Sequence, residues 1–206
     1  GVQGETGPTG IQGSTGVQGS TGPTGPQGQN GVSGGLTLFF DNTTTTSTIP
    51  VSQSLIQIPN IGTVTTVTYN FVGSSDNSAH LIGTFSTLPN TLYSTVITGG
   101  LWDTNLYASV APSISPQTDY YIKIYEKKVD TTRVLLADGS TDKSIISSTD
   151  TTNVAIFNNT IYVSSHTLDS LSSQIEVELY IIMSSGNTNT HSVAFYFRDN
   201  RQSHIH

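Results

Sequence analysis

Cysteine is absent from the 206 residues, which excludes a disulfide framework, a thiolate nucleophile and any zinc site built on cysteine. Cationic side chains are scarce: seven Lys and Arg stand against fourteen Asp and Glu, for a formal net charge of −7. A chain so charged lacks the basic surface that phosphate backbones require, so no nucleic acid is expected as a partner. Long apolar runs are missing too. The longest, around Val177 to Met183, is broken by Glu178 and falls far short of the ~18 residues of a membrane-spanning helix, so no membrane insertion is expected. Nucleophile elbow, Gly-rich phosphate loop and metal-hydrolase helix motifs are likewise lacking, and no catalytic residue is assigned.

What is present begins with a period. Glycine occupies every third position from Gly1 to Gly34 without exception. Such strict phase is foreign to flexible Gly-rich linkers and is the pattern of a collagen triple helix, in which only glycine fits the axis where three polyproline-II chains meet. The sequence therefore predicts a homotrimer with a collagen-like stalk over residues 1–35, about 100 Å long at ~3.1 Å per residue. Proline stands only in the second slot of a triplet, at Pro8, Pro23 and Pro26, which leaves no place for third-slot hydroxyproline. A start in mid-repeat at Gly1 reads as a chain cut from a longer stalk.

From Leu36 to His206 the stalk composition gives way to 171 residues, enough for one sizeable core. Alternation of apolar and polar residues, interrupted by Gly, Pro, Asn, Asp and Ser, predicts β structure throughout. Val67, Tyr69 and Phe71 share one face of a strand, as do Val193, Phe195 and Phe197. Ile175, Val177, Leu179 and Ile181 share another, and Tyr120, Ile122 and Ile124 a fourth. Separate short strands are expected at Val154 to Phe157 and Thr160 to Val163, with turns at Gly73-Ser74, Asp138-Gly139, Asn158-Asn159 and Ser185-Gly186-Asn187. The fold class is all-β: a β-sandwich or jelly-roll head over residues 36–206. Leu36, Leu38, Phe39 and Phe40, so apolar beside a polar stalk, pack either around a threefold axis or into their own sandwich.

Several residues carry candidate chemistry. Glu176 and Glu178 share one strand face, and His166 stands three residues before Asp169 with Ser164 and Ser165 nearby. Both arrangements are unspecific in a Ser- and Thr-rich chain. Trp102 with Asp103, Asn105 and Tyr107 sets an aromatic face beside amide and carboxylate groups, the chemistry that holds sugars; the alternative is that Trp102 anchors the core. Asn42 and Asn158 head acceptor sequons for glycosylation. His204 and His206 are separated by one residue, so an extended tail points both imidazoles to one side, and three tails meeting on an axis would offer six nitrogens to a transition-metal ion. Against that stands an ordinary frayed terminus.

The stalk followed by a β head is similar in architecture to collagen-stalked trimers of the complement and tumour-necrosis-factor kind and of spore surfaces and phage fibres. More closely, the stem units Gly-Ile-Gln-Gly-Ser-Thr and Gly-Pro-Thr-Gly-Pro-Gln resemble the collagen-like surface fibre proteins of giant DNA viruses. So do the stretches Gly35 to Asp41, Gly100 to Ser109 and Phe197 to His206. The resemblance implies a non-enzymatic structural and attachment protein on a virion, or on a spore or cell surface. Its head would trimerise the stalk and contact a host or surface glycan or receptor. The alternative is a purely architectural capping module without a ligand.

Overall fold

The computed structural model describes residues 1–16, 35–71, 78–111, 118–147, 154–183 and 191–206. Among these residues fourteen strands follow in chain order: β1 (Leu38–Asp41), β2 (Val51–Ile56), β3 (Thr65–Phe71), β4 (Ala79–Thr87), β5 (Val96–Ile97), β6 (Gly100–Ala111), β7 (Thr118–Lys127), β8 (Arg133–Asp138), β9 (Ser144–Ile146), β10 (Ala155–Val163), β11 (His166–Thr167), β12 (Gln174–Met183), β13 (His191–Phe197) and β14 (His204–Ile205). Among the described residues the only helical element is a single 3₁₀ turn, Gly139–Thr141, which fulfils the turn expected at Asp138-Gly139. The head is all-β, as expected, and consistent with a β-sandwich. The turns expected at Gly73-Ser74 and Ser185-Gly186-Asn187 lie outside the described residues.

Twelve of these strands form one sheet, ten of them in the hydrogen-bonded order β3-β13-β6-β14-β1-β2-β4-β12-β7-β8, with β10 on β6 and β9 on β7. Period-two patterning dictates which side chains enter the core between the layers. Ile175, Val177, Leu179 and Ile181 of β12 are fully buried, as are Tyr120, Ile122 and Ile124 of β7 and Val193, Phe195 and Phe197 of β13. These form one cluster with Phe40, Phe85 and Trp102. Nearly all pairings are antiparallel; the exception among named strands is β2 with β4, where Val51 lies opposite Gly83. That crossing needs a glycine, because a Cβ at Gly83 would sit 2.5 Å from Val51 Cγ2.

Several expectations are corrected. No triple helix is formed over the described part of residues 1–35. Residues 1–16 belong to no helix or strand and are exposed throughout, with nothing within 4 Å of where a Cβ would stand at any of their glycines. A polyproline-II chain has no internal hydrogen bonds, so a single chain offers no axis for the glycines to line. Leu38 and Phe40 fill the core of their own head, each 2% exposed, so the intramolecular alternative holds for this segment. β1 is paired on both sides, by β14 and β2. The turn expected at Asn158-Asn159 does not exist: β10 runs unbroken from Ala155 to Val163 against β6.

Candidate functional site

Strand β6 separates the residues that the sequence grouped as a ligand site. Trp102 is 6% exposed and points into the core with Leu106 and Ala108, while Asp103, Asn105 and Tyr107 lie on the opposite, outer face. A strand turns successive side chains to opposite sides, so Trp102 cannot form a platform beside Asp103. The outer face recruits other partners. The Thr160 hydroxyl donates to Asp103 Oδ1, and Asn158 Nδ2 donates to Asn105 Oδ1 at 3.3 Å. Asn105 Nδ2 lies 3.3 Å from His204 Nε2, and the His204 ring is 5.7 Å from Phe39 and 5.6 Å from His206. Thr160, Asn158 and Phe39 were missed as members of this group, because their approach depends on cross-strand register. The available signal was the alternation continuing through Asn158 and Thr160.

The terminal histidines belong to a paired strand. His206 exchanges both backbone hydrogen bonds with Asp103, at 3.0 and 2.8 Å, so the end is not frayed. His204 Nδ1 lies 2.8 Å from the Gln202 carbonyl, which can only accept; the proton therefore sits on Nδ1, and Nε2 accepts from Asn105. A metal at Nε2 would have to displace that amide. Among the described residues no group of three or more His, Asp or Glu is placed to hold a metal ion. Of the two sequons, Asn158 is exposed, whereas Asn42 is fully buried with its Nδ2 donating to Thr44 O at 2.6 Å, which leaves no room for a glycan in the folded head.

His166 pairs with Glu126 rather than Asp169, Nε2 to Oε2 at 2.7 Å. Glu126 is 1% exposed and also accepts from the Ser173 hydroxyl at 2.7 Å and the Asp169 backbone N–H at 2.6 Å. Burial pushes its carboxyl up, but the His166, Asp169 and Ser173 hydrogen bonds outweigh that, and the group titrates below its ordinary value. Ser173 gives its proton to the carboxylate rather than to an imidazole, so the trio lacks the hydroxyl-to-base hydrogen bond of an activated nucleophile. It ties the segment around β11 to the end of β7.

Glu176 and Glu178 do share a face, and Arg133 bridges them, Nε to Glu176 Oε1 at 2.6 Å and Nη2 to Glu178 Oε1 at 2.8 Å. Ser86 donates to Glu176 Oε2 at 3.0 Å and Tyr180 to Glu178 Oε2 at 2.8 Å, while the guanidinium stacks 3.8 Å over Tyr125. Every oxygen of this carboxylate pair is engaged, which suits a closed ion-pair network better than an acid and base poised to exchange protons.

An open pocket of about 440 Å³ lies beside the end of β2, lined by Leu55, Ile56, Ile58, Leu88 and Tyr93 with polar groups from Gln57, Asn90 and Thr91. Leu55 is buried, whereas Ile58, Leu88 and Tyr93 are 81%, 57% and 72% exposed. Gln57 Nε2 donates to Thr91 O at 2.8 Å and Asn90 Oδ1 accepts from the Ser172 hydroxyl at 2.8 Å, so side-chain hydrogen bonds brace both walls. An apolar concavity of this size with a few fixed polar groups has the make-up of a small-ligand site. No local pattern announces it, since its members are scattered over about forty residues.

No family model and no curated protein matches the sequence. Solved structures are similar in fold. An aminopeptidase from a marine sediment archaeon (Thaumarchaeota archaeon) aligns with a TM-score of 0.50 at 11% identity, over 74% of this chain and 34% of that one. Two crystal structures of a CocE/NonD family hydrolase from Staphylococcus aureus align with TM-scores of 0.48 and 0.49, at 11% and 10% identity. They cover 74% and 82% of this chain and 34% and 35% of theirs. The chain thus spans about a third of the length of the proteins it resembles. The likeness to the aminopeptidase is one of fold, and it corrects the expectations drawn from the motif resemblance. The neighbour found is an aminopeptidase and not a collagen-like viral fibre, so the attachment or capping role and the assignment as a non-enzyme are not what the fold likeness supports.

Proposed function

We propose that residues 36–206 form a jelly-roll domain of a hydrolase-type protein, and that the pocket beside β2 holds the apolar group of its substrate. The observation that carries this reading is the shared fold with one third of an aminopeptidase chain. The pocket supplies the chemistry: an aliphatic floor at Leu55, an aromatic wall at Tyr93 and braced amides at Gln57 and Asn90 fit an apolar side chain next to an amide or ester. The stem of residues 1–35 is a separate unit under this proposal. The glycine period supports self-association of three copies.

The test is to titrate the isotopically labelled chain with leucine and phenylalanine p-nitroanilides and with p-nitrophenyl butyrate. Amide-resonance shifts at Leu55, Leu88 and Tyr93, together with any release of p-nitroaniline or p-nitrophenol, are followed in the same samples. Shifts confined to the pocket, with or without turnover, support the reading. Absence of both for all three compounds overturns it.

A further inference from the structure

The outer faces of β6 and β10 carry four directly opposed pairs: Leu101 with Tyr162, Asp103 with Thr160, Asn105 with Asn158, and Tyr107 with Ile156. Two polar pairs are thus bracketed by two pairs of large apolar residues. The six steps from Leu101 to Tyr107 span about 20 Å at ~3.4 Å per residue. Leu101, Tyr162 and Ile156 are 70%, 61% and 48% exposed, so the apolar ends of the stripe face water. The row continues sideways: His204 lies opposite Asn105 on β14, and Phe39 opposite His204 on β1.

The polar centre is held in place before any ligand arrives. Asp103 is engaged by Thr160, and Asn105 is fixed between Asn158 and His204. Side chains already ordered lose little further entropy on binding. Their groups are amide, hydroxyl, imidazole and one carboxylate, with no Lys or Arg among the eight opposed residues. An anionic partner has nothing to pair with here and meets Asp103 and an overall net charge of −7. A peptide adding as a strand would use the edge of β10 rather than this face. Groups that both donate and accept suit hydroxyls, which do the same, and the exposed ring of Tyr162 and the half-buried ring of Tyr107 suit the apolar faces of pyranoses.

We infer that this face is a binding site for a neutral oligosaccharide, extended along β6 and β10. Sugar rings lie on Tyr162 at one end and on Tyr107 at the other, and their hydroxyls bond to Asp103, Asn105, Asn158 and Thr160. The site shares no residue with the pocket beside β2, so it stands or falls apart from the hydrolase reading.

The test uses the full-length labelled chain titrated with chitotetraose, cellotetraose and maltotetraose at low-millimolar concentration. The expected result is a set of amide shifts confined to 101–107, 156–162 and 204–206 with at least one of the three. Asp103→Ala and Asn105→Ala each weaken that binding about tenfold or more, the scale of one lost hydrogen bond to a charged or fixed partner. Tyr162→Ala, at an exposed position that tolerates truncation, weakens it without moving the thermal midpoint, and Val129→Ser on the distant β7–β8 hairpin leaves it unchanged. No shift with any tetrasaccharide, shifts elsewhere on the head, or undiminished binding by Asp103→Ala and Tyr162→Ala would each overturn the site.

Discussion

Arg198 grips Asp41 through both carboxylate oxygens, Nε to Oδ1 at 2.6 Å and Nη2 to Oδ2 at 3.0 Å, and so joins residues 157 positions apart. The pair locks the first strand of the head to its last segment. Asp41 is 9% exposed, and Arg198 reaches it from a left-handed backbone conformation at φ 70°, followed by Asp199 at φ 48°. Two successive non-glycine residues at positive φ cost free energy that the surrounding contacts must offset. The fork geometry of guanidinium on carboxylate is the compensating interaction.

Removing one partner strands the other. Arg198→Ala is expected to destabilise the head by about 3 kcal/mol, the usual consequence of leaving a largely buried charge unpaired. Arg198→Gly relieves the backbone strain and still loses the pair, so it should fall between the wild type and Arg198→Ala. Urea unfolding of the three proteins measures the order, and equal midpoints for all three would dismiss the pair as a stabilising contact.

Glu126 makes stability depend on acid. Its carboxyl titrates below the ordinary value of 4.5 in the folded head, so the contribution is fully present above pH 4.5 and is lost as pH falls through the lower folded value. The stability gap between the wild type and Glu126→Gln should therefore be widest near neutrality and shrink below about pH 4.5. Chemical denaturation at several pH values gives the gap directly. A difference that stays constant into strong acid would show that the carboxylate's charge plays no part.

The strands buried on strict alternation were legible, because the pattern in β7, β12 and β13 reports a local geometry of period two. Cross-strand partners were not. Glu126 finds His166 and Asp41 finds Arg198 through register between distant segments, which no local spacing encodes. Trp102 was grouped with the wrong neighbours for a simple reason: proximity along a strand places Asp103 on the other face. Asn158-Asn159 reads as a turn by composition, yet the ladder to β6 and the inward-facing Asn159, whose Nδ2 lies 3.1 Å from Ser144 Oγ, hold it extended. The glycine period of the stem is plain in the sequence, but the axis it would line belongs to an assembly of chains. The motif resemblance rested on a few short stretches, whereas the fold likeness integrates over most of the head.

Gly83 offers a test of packing at the parallel crossing of β2 and β4. An added Cβ would meet Val51 Cγ2 at 2.5 Å and Phe85 Cε2 at 3.1 Å. Gly83→Ala should therefore cost about 1–3 kcal/mol by overpacking. Val51→Ala removes the nearest obstacle, so the double variant should be less destabilised than the sum of the two single changes, by at least about 0.5 kcal/mol. Strict additivity in thermal or urea unfolding would contradict this account of the crossing.

Residues 1–16 are exposed throughout and supply no member of the core cluster, so the head should not depend on them. A chain beginning at Leu36 is expected to unfold at the same temperature and denaturant midpoint as the full-length protein, because the core cluster draws all of its members from the head. Mild proteolysis should give the same piece, since residues 1–16 are exposed to a protease, while the paired strands of the head are protected. A truncated head that melts earlier would mean that the stem contributes to its stability and that the boundary at residue 35 is wrong. The proposed association is read from the same samples: light scattering of the full-length chain should give three times the mass of one chain, and a mass of one or two chains rejects the homotrimer.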